Sequence, residues 1–193
     1  NLDGAGSGAT LVAIAGQNTS FIKTGSGNDS LSGGVSLDGG AGNNNITADA
    51  RTTTVVAGSG NDNLDASAAA QAVTVNLGDG ANSVIGSDFD DVITLGTGAD
   101  AVSSGDGGDT VTGSLSAGDS ISLEGDDDSF QYQSLGAVSM TVDGGAGIDT
   151  LTVGAGSGPI TIDFSNSNDQ ISAEAGSYRN FENLDASTAN SGL

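Results

Sequence analysis

The chain has no cysteine, no histidine and no tryptophan, a single proline (Pro159), and only three cations, Lys23, Arg51 and Arg179. Without His or Cys there can be no Ser-His-Asp triad, no thiol nucleophile, and none of the usual ligands of structural zinc, haem or iron–sulfur clusters. Three cations against 25 acidic residues leave a net charge of −22 and are too few to neutralise a phosphate backbone, so nucleic acid is not expected as a partner. No apolar run approaches the roughly 20 residues of a transmembrane helix. The start, Asn1-Leu2-Asp3-Gly4, has no basic or apolar leader, so a mature product or an excised piece is expected. Aromatics are few, with two Tyr and five Phe. No catalytic constellation is expected: Asp is so abundant that paired carboxylates follow from composition alone.

What is present is glycine and aspartate. Gly fills 33 of the 193 positions, and the acids are nearly all Asp, with Glu only at 124, 174 and 182. Both types favour turns and disfavour helix interiors. High charge with few aromatics is also the composition of disordered chains. Short alternating runs containing Val, Ile and Leu recur throughout, however, and argue for strands.

One pattern repeats: Gly-x-Gly-x-Asp-x-aliphatic. It occurs at Gly25-x-Gly27-x-Asp29, Gly58-x-Gly60-x-Asp62, Gly96-x-Gly98-x-Asp100, Gly105-x-Gly107-x-Asp109 and Gly145-x-Gly147-x-Asp149. Asn replaces Asp at Asn44 and Asn82, and Asp91 keeps the acid while Phe89 stands in a glycine place. Positions 82, 91, 100 and 109 are nine apart and 44 to 62 is eighteen, whereas 29 to 44, 62 to 82 and 109 to 149 are irregular. Insertions are expected there, notably the alanine-rich 66–72, as a short helix or a loop, and the acidic and aromatic 124–132. Such a period is the mark of a stacked repeat protein.

Each nonapeptide divides into a glycine turn and a short strand with an inward aliphatic side chain. Two of them make a coil of about eighteen residues. The expected fold is therefore all-β, a parallel β-roll or β-solenoid of stacked coils with interrupting loops, forming one domain over 1–193. The repeats are clearest over 24–160, and 161–193 is expected to be a less regular end or linker. The expected inward set is Leu31, Ile46, Leu64, Val84, Ile93, Val102, Val111, Ile121, Leu151 and Ile160, continued at Leu95, Leu123, Val153 and Ile162.

The repeats resemble the repeats-in-toxin (RTX) family of secreted bacterial proteins, Asp143-Gly144-Gly145-Ala146-Gly147-Ile148-Asp149-Thr150-Leu151 being close to its consensus. The resemblance implies several bound calcium ions. It places them on Asp29, Asp62, Asp91, Asp100, Asp109 and Asp149 with turn glycines Gly25, Gly27, Gly58, Gly60, Gly96, Gly98, Gly105, Gly107, Gly145 and Gly147, and more weakly on Asn44 and Asn82. Turns rich in carboxylate and carbonyl oxygen suit calcium's six to eight ligands better than magnesium's tight octahedron. Asp126-Asp127-Asp128 reads as a solvated acidic loop, and Asp38, Asp79, Asp88, Asp90 and Asp143 as mostly solvated flanks of turns.

The expected role is a calcium-stabilised structural protein of the bacterial cell surface or extracellular matrix, such as an S-layer, filament or sheath subunit. It would be secreted, and homo-oligomeric or polymeric. The alternative is a calcium-dependent folding and secretion module of a larger exoenzyme, toxin or adhesin. An adhesive face for ice or host surfaces would need a flat threonine array, which Thr52-Thr53-Thr54 and the scattered threonines do not supply.

Overall fold

A computed structural model of the chain describes residues 1–132, 139–154, 162, 164–171 and 176–187. The described residues contain nineteen strands and no helix. Ten strands form one parallel sheet: β1 (Leu2–Asp3), β3 (Phe21–Lys23), β5 (Ser36–Asp38), β7 (Thr54–Val56), β9 (Thr74–Asn76), β11 (Val92–Leu95), β13 (Thr110–Gly113), β15 (Ser129–Tyr132), β17 (Thr150–Val153) and β19 (Asn183–Asp185). The nine between them form the second sheet: β2 (Val12–Ile14), β4 (Ser30–Ser32), β6 (Asn45–Thr47), β8 (Asn63–Asp65), β10 (Ser83–Ile85), β12 (Ala101–Ser103), β14 (Ser120–Ser122), β16 (Thr141–Asp143) and β18 (Ser177–Arg179). Successive strands therefore alternate between sheets, and every strand pairs in parallel with the strand two further along. That is the connectivity of a β-solenoid.

The middle residue of most strands points inward, because a three-residue strand has one face for the core and leaves its two flanking positions outside. Leu31, Ile46, Leu64, Val84, Ile93, Val102, Val111, Ile121, Leu151, Leu95, Leu123 and Val153 are all buried, as their place in the repeat requires. Ile162 packs against the core from a half-buried position, and Ile160 lies outside the described residues. The opposite wall of the early coils is Ile22, Leu37, Val55 and Val75, each fully buried, from strands that no motif precedes. Towards the other end the column changes from aliphatic to aromatic. Tyr132 and Tyr178 meet edge to face at 5.5 Å, and Phe130 lies 6.5 Å from both Tyr178 and Phe181.

Of the two expected insertions, one belongs to the ladder and the other is a loop, one of the two forms expected for it. Residues 124–132 include β15, which pairs with β13 and β17, so the forty residues from 109 to 149 are two further coils. The alanine-rich 66–72 is a loop between β8 and β9 that buries Ala66 and Ala69 and lengthens its coil to twenty residues. The solenoid also orders threonines that look scattered in the sequence. On the outer face of the ten-stranded sheet Thr54 pairs with Thr74 and Thr94 with Thr112, while β13 and β17 each show threonine at both outward positions.

Candidate metal centres

The residue before each strand closes a turn, and stacking brings these residues into columns. In the column leading into the nine-stranded sheet, one side-chain oxygen of each member accepts a hydrogen bond from the backbone N–H of the equivalent residue one coil earlier. Asp29 Oδ1 accepts from Leu11 at 2.7 Å, Asn44 from Asp29 at 3.0 Å, Asp62 from Asn44 at 2.7 Å, Asn82 from Asp62 at 2.9 Å, Asp100 from Asn82 at 3.1 Å and Asp119 from Asp100 at 2.8 Å. A second column leads into the ten-stranded sheet. There Asp91 accepts from Val73, Asp109 from Asp91, Asp128 from Asp109 and Asp149 from Asp128, at 2.6–2.9 Å, and Glu182 ends the series on the Asp149 N–H. The nine-residue spacing exists only where both columns are populated. Where one is, the spacing is a full coil.

Every column aspartate is buried, from 3% exposed at Asp29 and Asp62 to fully buried at Asp149. Oδ1 of each is satisfied by the ladder. Oδ2 of Asp29, Asp62, Asp100, Asp109, Asp128 and Asp149 is buried with no hydrogen-bond partner. An ionised oxygen left so is expensive, and the ordinary remedies are protonation or a cation. Burial accordingly raises the carboxyls of Asp100, Asp119 and Asp149 above the usual carboxylate range, and lifts Asp62 to about 6, Asp109 to about 7 and Asp128 to about 8. Neighbouring carboxylates add to the effect, Asp91 and Asp90 at Asp109 and Asp109, Asp149 and Asp126 at Asp128.

Four column residues solve the problem without a cation. Asp91 Oδ2 accepts from the Ser87 N–H at 2.7 Å and Asp119 Oδ2 from Ser116 at 2.6 Å, both within their own turns. The amide Nδ2 of Asn44 donates to Gly42 O and that of Asn82 to Gly80 O, each at 3.1 Å. A neutral N–H donor there occupies the place where a carboxylate oxygen would face a carbonyl.

The turn glycines bring backbone carbonyls against the next turn. A Cβ built on Gly58 (φ 109°) would lie 1.7 Å from Gly40 O, and one on Gly96 1.4 Å from Gly78 O. The other motif glycines, Gly25, Gly27, Gly60, Gly98, Gly105, Gly107, Gly145 and Gly147, would each place a Cβ within 2.6 Å of the backbone one coil earlier. Among the described residues no three carboxylates converge on one point. A cation at these turns would therefore draw most of its ligands from backbone carbonyls, with a column carboxylate supplying the charge. Hard oxygen donors of the carbonyl and carboxylate type fit calcium.

Asp119 and Asp128 escape the sequence pattern because their turns lack its glycines. The readable signal was the step of about one coil, 100 to 119 and 109 to 128, followed each time by an aliphatic or aromatic residue two positions on. Asp128, expected in a solvated loop, is instead 2% exposed. Among the flanking acids, Asp38 pairs with Lys23 and Asp143 with Arg179, while Asp90 accepts from the Gly108 N–H.

The fold and its turns define a class, the parallel β-solenoid with stacked carboxylate turns. The family model for the RTX calcium-binding nonapeptide repeat matches at four places, residues 14–35, 47–70, 77–111 and 141–157, together just over half of the chain. The chain belongs to this family of calcium-binding repeats. No curated protein and no solved structure matches it.

Proposed function

We propose that the chain is a calcium-hardened structural protein of the bacterial cell surface or extracellular matrix, an S-layer, filament or sheath subunit that folds and assembles when calcium binds outside the cell. The observation that carries the calcium half of this reading is the set of six buried, partnerless carboxylate oxygens. Asp29, Asp62, Asp100, Asp109 and Asp149 hold the ions together with carbonyls of their glycine turns. Asn44, Asn82 and Asp91, already satisfied by hydrogen bonds, contribute to stacking instead. At millimolar calcium and a dissociation constant near 10⁻⁴ M, each site adds about 2 kcal/mol, a large fraction of a domain's stability once several are filled.

The structural half rests on the extent of the repeat. Coils run from Leu2 to Asp185 along one pair of sheets, and no described segment stands apart from them as a second unit. Negative-stain electron microscopy in a few millimolar calcium, beside a chelated control, tests this. Sheets or filaments that dissolve on chelation support the assembly reading. Isolated monomeric rods contradict it and favour a folding and secretion module of a larger exoprotein.

A further inference from the structure

We propose that a calcium ion also binds at Asp128, in the turn 124–127, which has neither motif glycine and lies between the family-matched segments 77–111 and 141–157. The inference rests on the calcium reading above and extends it to a turn that the repeat pattern does not recognise.

The backbone of this turn is that of its neighbours. Glu124 has φ 71° and Asp126 φ 73°, the left-handed region held one coil earlier by Gly105 and Gly107 and one coil later by Gly145 and Gly147. L-residues avoid this region, so the stack imposes the conformation against local preference. Parallel bridges run Asp106 to Gly125 to Ala146, which places the turn in register between two motif turns. Its carbonyls face onward as glycine carbonyls do. A Cβ on Gly145 would lie 2.2 Å from Glu124 O, and one on Gly147 2.0 Å from Asp126 O.

The carboxylate is also that of a motif Asp. Asp128 Oδ1 takes the Asp109 N–H at 2.7 Å, and Oδ2 is buried without a partner. This separates it from Asp91 and Asp119, whose Oδ2 atoms are bonded within their own turns. Asp126 adds charge, its Oδ2 lying 3.3 Å from the Gly107 N–H, and Asp127 Oδ1 accepts from Ile148 at 2.8 Å. Two glycines have thus been exchanged for acids while the geometry that presents oxygen to a cation is kept. Occupancy follows the partnerless oxygen, not the glycine motif.

Crystals of the whole chain grown in calcium, with anomalous data collected on the ion, provide the test. The expected result is a calcium peak about 2.3–2.6 Å from Asp128 Oδ2. In equilibrium dialysis Asp128→Asn should bind one ion fewer than the parent chain and Asp91→Asn the same number. Peaks at Asp109 and Asp149 with none at Asp128, or an unchanged ion count in folded Asp128→Asn, overturn this inference alone. Calcium at none of the turns overturns it together with the reading on which it rests.

Discussion

The coils before residue 86 and those from 87 to 153 solve the same stacking problem with different amounts of charge. In the first region only one column carries acids, and they alternate with amides: Asp29, Asn44, Asp62, Asn82. The matching positions of the other column are Val35, Thr53 and Val73. That edge is closed without a column carboxylate, by contacts such as the buried Thr52 hydroxyl donating to Gly34 O at 2.8 Å and the Arg51–Asp49 ion pair in the same turn. In the second region both columns carry carboxylates, Asp100 and Asp119 on one side and Asp91, Asp109, Asp128 and Asp149 on the other. One ladder per coil is therefore enough to set the register. The second ladder adds charge, and with it a demand for cations that the first region largely avoids.

The comparison breaks most sharply at a turn glycine. Gly58→Ala must relieve a Cβ 1.7 Å from a carbonyl as well as a left-handed φ. It should cost about 3 kcal/mol or more in calcium-dependent thermal unfolding. Glu124→Gly, which restores the motif residue in the second region, should instead leave stability unchanged or raise it by about 1 kcal/mol.

A somewhat smaller effect separates the two kinds of column residue. Asp109→Ala removes the acceptor of the Asp91 N–H and an ion ligand, about 3 kcal/mol in saturating calcium from one hydrogen bond and one site. Asp62→Asn copies its neighbours Asn44 and Asn82, keeps the ladder, and should lose only the ion, about 2 kcal/mol. In chelator the sign for Asp62→Asn should reverse, because a neutral amide then replaces a buried charge.

The pH dependence sharpens the same contrast. Burial raises the folded-state values of Asp62, Asp109 and Asp128 to about 6, 7 and 8, above the unfolded value near 3.9. The folded chain then binds more protons than the unfolded one, so metal-free stability falls as pH rises from about 4 through 8. Calcium-free protein should gain β-structure on acidification towards pH 4–5, followed by circular dichroism. Calcium affinity should weaken over the same range as protons compete for the ligands. The smallest effect belongs to the surface: Lys23→Gln breaks a half-exposed ion pair with Asp38 and should cost under about 1 kcal/mol.

Most of the fold was legible because the motif states its own geometry. Glycine turn, carboxylate and inward aliphatic residue recur together, and the aliphatic residues so marked in the described strands are all buried. Ile22, Leu37, Val55 and Val75 were not legible in that way. Their strands follow turns closed by neutral residues, and three alternating positions carry little periodic signal by themselves. Asp119 and Asp128 were hidden for a different reason: the stack imposes the turn, so the turn no longer needs the glycines that would announce it. The threonine ranks on the ten-stranded sheet depend on coil lengths of 18–21 residues, which only the paired register reveals.

The central claim is that partnerless carboxylates make this fold depend on calcium, most of all where both columns are acidic. Hydrogen exchange at neutral pH, read strand by strand during a calcium titration, tests it directly. The account predicts little protection in chelator and protection that rises with calcium, with β11 to β17 requiring more of the ion than β4 to β9. Equal, strong protection of both regions in the absence of any divalent cation would contradict it.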